Sequence, residues 1–222
     1  KLSQVTDAQR QLGKQAILGL GYQMGANKFE MTCQSYGIHI DSAMAGKVVD
    51  SYRSKYHLVK SLWYEQEAAA VRAVTTGEYQ SCGKIGWGIS DDFLYCKLPS
   101  KRLLAFYKPE INEVDTPWGG KKQALTFMAV NATTRKFERT KTYGGMIVEN
   151  ITQGVARDLL ANALLNLEEA GYNVVHHTHD EAITEHTDGD VGDFEKLMVK
   201  NPDWGLDIPT AVDGWVGLRY LK

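Results

Sequence analysis

Cysteine is scarce in this chain and badly spaced for chemistry. Cys33, Cys82 and Cys96 are odd in number and form no Cys-x-x-Cys pair, which excludes a disulfide framework and a zinc ribbon and favours a reducing, intracellular setting. No apolar run approaches the length of a bilayer span, and no signal peptide opens the chain, so a soluble protein without membrane partners is expected. A charge excess of either sign is missing too. The formal net charge of -2 supplies no global basic field, and any nucleic-acid contact must come from local patches. What is present suits one or two packed globular units: 43% of the 222 residues are hydrophobic and 23% are charged, a balance that argues against disorder. The chain opens at Lys1 without a methionine and enters a helix almost at once, which reads as a piece of something longer.

The stretch His176-His177-Thr178-His179-Asp180-Glu181 lies between the apolar segments Tyr172 to Val175 and Ala182 to Thr184. Apolar alternation on both sides of a polar centre predicts a hairpin with Asp180 and Glu181 at its bend. Adjacent carboxylates at a bend suit magnesium, which keeps several waters and is held by one or two carboxylates plus substrate phosphates. Taken alone, the same pair also reads as a solvated turn.

Thr6 followed by Gln9 is a capping-box pattern and predicts a helix from Asp7 to about Met24. Arg10, Lys14, Leu18 and Tyr22 recur every fourth residue and line one face of it. Both cations fall in the first turns, where the unpaired N–H groups and the positive dipole end also point, so the helix start suits a polyanion such as a triphosphate. A surface helix with two exposed cations is the competing reading.

The stretch QVTDAQRQLGKQAILGLGYQMG resembles the nucleotide-binding finger helix of family A DNA polymerases, the DNA polymerase I family, whose pattern is RxxxKxxxFxxxYG. Arg10, Lys14 and Tyr22 match its Arg, Lys and Tyr; Leu18 stands where the family usually has an aromatic, and Gln23 where it has glycine. His179-Asp180-Glu181 matches the family's motif C hairpin in full, in the expected order after the finger helix. LPSKRLLAFYKP, from Leu98 to Pro109, is similar to the LPSGR hairpin of phage and bacterial members, with Lys101 in place of the glycine. ENITQGVARDLL resembles the palm helix before motif C, and Gln153 falls on its duplex-contacting glutamine. The tail LDIPTAVDGWVGLRYLK resembles the closing segment of phage-type members, so the resemblance runs over essentially the whole chain.

Between these motifs, helical spacing covers residues 41–76 with a break near His57, and short strands and hairpins follow over about 94–140. Arg135, Lys136, Arg139 and Lys141 lie on the last hairpin and read mainly as surface, with DNA contact as the lesser alternative. A second amphipathic helix, about Met146 to Ala170, has the stripe Ile151, Val155, Leu159, Leu160, Ala163, Leu164 and Leu167.

The resemblance implies an α+β fold: fingers over residues 1–145 and the distal palm over 146–222 of a right-hand polymerase. It implies DNA-directed DNA synthesis from deoxynucleoside triphosphates on primer-template DNA, in a bacterial or phage-infected host cytoplasm. Arg10, Lys14, Leu18 and Tyr22 would bind nucleotide, Lys14 also donating a proton toward pyrophosphate. Asp180 would ligate magnesium, Glu181 would tune the site from its edge, and His179 and Gln153 would contact DNA. The thumb, the exonuclease domain and motif A, with its catalytic aspartate, would lie upstream, either on a second chain of a split polymerase or on a part removed from this one, and the isolated chain would be inactive. The alternatives are a non-catalytic DNA-binding or assembly module and a single-subunit RNA polymerase, in which Ser usually follows His-Asp. A zinc site among His176, His177, His179 and His186 is disfavoured, because strand neighbours face opposite ways and no Cys lies near.

Overall fold

Thr6 starts α1 (Asp7–Leu20) with both halves of the capping box: its hydroxyl accepts from Gln9 N–H at 3.2 Å, and Gln9 Oε1 accepts from Thr6 N–H at 3.0 Å. The computed structural model describes residues 5–116 and 119–220; Gln4 of the finger-helix stretch and the last two residues of the tail lie outside the described residues. The helix stops at Leu20, short of the expected Met24. Gln23 N–H donates to Leu20 C=O at 3.3 Å and Met24 N–H to Gly19 C=O at 3.4 Å, with Gln23 at φ +68°, a Schellman-type turn that closes the helix.

Three helices follow: α2 (Ala26–Ser35), α3 (Ser42–Lys55) and α4 (His57–Thr76). The break between α3 and α4 falls at Tyr56, next to the expected His57. Leu20, Phe29, Cys33, Ala45 and Val49 form a buried cluster that joins α1, α2 and α3. An antiparallel meander of six strands comes next: β1 (Gln80–Cys82), β2 (Ile85–Ser90), β3 (Phe93–Lys97), β4 (Leu103–Asp115), β5 (Lys121–Val130) and β6 (Phe137–Lys141). Its inner face packs on α4. The buried Gln66 carboxamide ties the two, with Oε1 accepting from Trp87 Nε1–H at 2.9 Å and Nε2–H donating to Cys82 C=O at 3.2 Å. Pro109 sits where the register of β4 against β5 shifts, the one kind of interior position a proline tolerates in a sheet.

Helix α5 (Gly144–Glu169) begins two residues before the expected Met146. Two N–H groups of its first turn find side-chain acceptors: Gly144 donates to Glu67 Oε2 at 3.0 Å and Gly145 to Gln23 Oε1 at 2.9 Å. A Cβ on Gly145 would collide with Tyr22 C=O, so glycine is required there.

The chain divides into two compact units, residues up to 97 with 103–151, and 98–102 with the residues from 152 on. The division between the units falls inside α5, at 151/152. In the second unit Leu160, Ala163, Leu167, Tyr172 and Met198 form the core under the two-stranded sheet β7 (Asn173–Thr178) and β8 (Glu181–Glu185), with α6 (Val191–Met198) and a 3-10 turn, Asp203–Gly205, completing it. The fold is α+β. Among the described residues no helix is long and apolar enough to cross a membrane.

Candidate functional site

On α1 the buried side carries Gln15 and Leu20, while Arg10 and Lys14 are exposed and Leu18 is 55% exposed. The four-residue spacing therefore does what it predicts for three residues, which share the solvent side of one helix. Tyr22 is different: it lies in the closing turn beyond Leu20 and is half-buried. That turn is pinned from several directions. Trp63 Nε1–H donates to Gly21 C=O at 2.7 Å, Arg53 Nη2–H to Met24 C=O at 3.3 Å, and the Gln23 carboxamide holds Gly145 N–H. The Tyr22 end of the finger-helix stretch is fixed to α3, α4 and α5, and the Arg10 and Lys14 end points two cations and a helix N-terminus at solvent. Asp7 shares that first turn and partly offsets the positive field.

In the second unit, Thr178 pairs with Glu181 and leaves His179 and Asp180 as a two-residue hairpin loop, His179 at φ +51° as such loops require. This sets Asp180 at the tip and Glu181 as the first residue of β8. Both loop side chains are open to solvent, His179 88% and Asp180 82% exposed, with His179 Nδ1 and Asp180 Oδ1 2.9 Å apart. Glu181 Oε2 accepts from the Tyr220 hydroxyl at 2.8 Å, a contact from the tail that steadies the second carboxylate. Among the described residues no group of three His, Cys, Asp or Glu side chains is arranged to hold a metal ion, the four histidines of the zinc reading included. Two carboxylates on an open tip do suit a hard cation that keeps water and shares phosphate oxygens.

Gln153 stands on the exposed side of α5. One residue on, the Gly154 carbonyl accepts from Arg102 Nη2–H at 2.8 Å, and a turn later Asp158 accepts from Arg102 Nε–H at 2.5 Å and from the Ser100 hydroxyl. The loop of residues 98–102 is thereby clamped onto the helix segment that carries Gln153. Sequence reasoning singled out neither Asp158 nor Tyr220. The available signal for Asp158 was an acid set against the apolar stripe, beside Leu159 and Leu160; for Tyr220 there was none.

No protein-family model matches the chain, and no solved structure matches it. A curated relative does. The chain is 36% identical over 220 residues to the DNA polymerase of Bacillus phage SP02. The matched stretch takes up 96% of this chain and 33% of the phage protein, so the chain spans about a third of that relative's length. The α1 face, the Gln153 helix and the β7–β8 tip all belong to a chain that is similar, over 96% of its own length, to a third of this phage polymerase.

Proposed function

We propose that this chain supplies the fingers and distal palm of a phage-type family A DNA polymerase and takes part in template-directed nucleotidyl transfer from a deoxynucleoside triphosphate to a primer 3'-hydroxyl. The observation that carries the reading is the similarity to the phage SP02 polymerase over 96% of the chain, which takes in both the finger-helix stretch and His179-Asp180-Glu181. Arg10 grips the outer phosphates. Lys14 neutralises charge on the triphosphate and donates a proton toward the leaving pyrophosphate. Leu18 offers an apolar surface to the sugar and base where the family pattern has a ring, and Tyr22, held in its turn, packs near the templating position. His179 positions the primer-terminal backbone. Gln153 bonds acceptors that all base pairs share in the minor groove, and so tests shape without reading sequence.

Asp180, with Glu181 at its edge, would hold magnesium, which when bound neutralises the attacking and leaving oxygens of the displacement. A complete two-metal site needs a further carboxylate, which we assign to a segment upstream of this chain. The test is a primer-extension gel. The purified chain alone is expected to add no nucleotide, and the chain supplied with the upstream segment is expected to extend the primer. Asp180→Ala should abolish that extension, whereas Arg10→Ala and Lys14→Ala should each raise the KM for the triphosphate about tenfold or more, the scale of one charge-assisted hydrogen bond. Robust synthesis by the chain alone would refute the need for the upstream carboxylate. Extension that survives Asp180→Ala would refute the site.

A further inference from the structure

The outer face of the six-stranded sheet, turned away from α4, carries a row of aromatic side chains that are half-buried against one another at its centre and exposed at its ends. Register places Tyr95 and Phe93 of β3 beside Tyr107 of β4 on this face. The rings run in sequence: Tyr95 to Phe93 at 5.7 Å between centroids, Phe93 to Tyr107 at 5.1 Å, Tyr107 to Phe137 of β6 at 6.4 Å. Phe137 is 59% exposed, and Tyr79, at the opposite end, 63%. Tyr79 lies flat over β2, where a Cβ on Gly86 would collide with its hydroxyl, and with Tyr95, Lys97 and Leu103 it walls a groove of about 210 Å³ floored by Gly86 and Gly88.

Cations border the row. Within the first unit, residue 97 and residues 103–141 hold eight Lys or Arg against four Asp or Glu, in a chain whose total charge is -2. Arg139 is engaged by Glu110 at 2.6 Å and Lys121 by Glu113 at 2.7 Å, which leaves those acids compensated. Lys97 lies beside Tyr95, Lys108 sits 5.4 Å over the Tyr107 ring, and Arg135 and Lys136 precede Phe137 in the β5–β6 turn. Asp91 and Asp92, in the β2–β3 turn, are the acids at that edge of the face. Ring faces at successive positions, with ammonium and guanidinium groups alongside, match a strand whose bases are unpaired and whose phosphates need neutralising. A duplex hides its base faces and would gain only the charge.

We propose that this sheet face binds single-stranded DNA, bases stacking on Tyr95, Phe93, Tyr107 and Phe137 and phosphates meeting Lys97, Lys108, Arg135 and Lys136. The choice of DNA over RNA rests on the DNA-synthesis reading above; the stacking surface itself does not.

The test is fluorescence anisotropy with the full chain and a labelled oligo(dT) of about 15 nucleotides, within the span such surfaces cover, in the absence of triphosphate, metal and primer. Oligo(dT) is expected to bind more tightly than a duplex or an oligo(U) of the same length. Phe137→Ala, a change at an exposed edge position, and Tyr95→Leu, which keeps an apolar filling, should each weaken it by roughly fivefold or more, the alanine-scan scale for one stacked base. Lys97→Glu with Lys108→Glu should flatten the salt dependence. No binding at low salt, equal affinity for the aromatic variants, duplex bound as tightly as single strand, or tighter binding of oligo(U) would each overturn the proposal. So would size-exclusion chromatography showing that Phe137→Ala dissociates a dimer while leaving oligo(dT) affinity unchanged. Because no nucleotide is transferred in this assay, an inactive polymerase and a sheet that binds no DNA give separate results.

Discussion

Among the described residues six side chains other than glycine sit at positive φ, and two of them, Gln23 and Lys101, stand where the polymerase pattern has a glycine. Gln23 closes α1 at φ +68°, and Lys101 is the third loop residue between Leu98 and Arg102 at φ +72°. A side chain in the left-handed region costs roughly 1 kcal/mol relative to glycine, so the two substitutions are tolerated for different reasons. Lys101 is exposed, and among the described residues no hydrogen bond of its side chain stands against the strain. Gln23 spends its carboxamide on Gly145 N–H, an otherwise orphaned donor at the start of α5. Lys101→Gly is therefore expected to raise stability by about 1 kcal/mol, while Gln23→Gly trades strain against a lost hydrogen bond and comes out near neutral. Gln23→Ala keeps the strain and loses the bond, and should cost about 1–2 kcal/mol. Urea midpoints of the three variants decide it; a stabilising Gln23→Ala would show that the Gly145 bond contributes nothing.

At the scale of elements, what the sequence made legible depended on how local the signal was. The capping box of α1, the break near His57, the stripe of α5 and the tip of the β7–β8 hairpin are written in spacings of two to four residues, and all four appear in the structure. Helix α2 was not anticipated: it is ten residues long and starts at Gly25 without a side-chain cap. Nor was the continuity of β5, which runs unbroken from Lys121 to Val130 because pairing with both β4 and β6 settles its length, a non-local fact. The site followed the same rule, for Arg10, Lys14 and Leu18 share a face by helical repeat, whereas the Arg102–Asp158 clamp joins residues 56 apart. That clamp gives an element-scale prediction. The Asp158 side chain is 10% exposed, so removing it leaves Arg102 and Ser100 facing a buried vacancy and frees the 98–102 loop from α5. Asp158→Ala should destabilise the second unit by about 2–3 kcal/mol, toward the low end for a broken buried pair because Arg102 keeps access to water. Hydrogen exchange should show faster exchange in residues 98–102 and around Gly154. Unchanged protection there would mean the loop is held by other contacts.

For the molecule as a whole, the distribution of thiols sets how it responds to alkali. All three cysteines lie in the first unit, Cys33 in the α1–α3 cluster, Cys82 at the end of β1 and Cys96 under the sheet against α4. Burial raises each thiol, Cys96 most, from 9.0 to about 12. A group whose folded pKa lies above its unfolded value contributes stability that is intact below the unfolded pKa and lost as pH rises toward the folded one, because the unfolded chain gives up the proton first. Cys96 should thus cost about 1.4 kcal/mol for each pH unit between about 9 and 12. Tyr52 and Tyr143, raised from 10.0 chiefly by burial, add to the decline from about pH 10 upward. The urea midpoint of the first unit is expected to be flat up to pH 8 and to fall steadily above pH 9. Cys96→Ala, which removes the titrating group at the expense of a small cavity, should lower the midpoint at pH 8 yet decline less steeply. An equal slope in the variant would place the alkaline limit on Tyr52 and Tyr143, and would mean that the Cys96 thiol can ionise without the sheet opening.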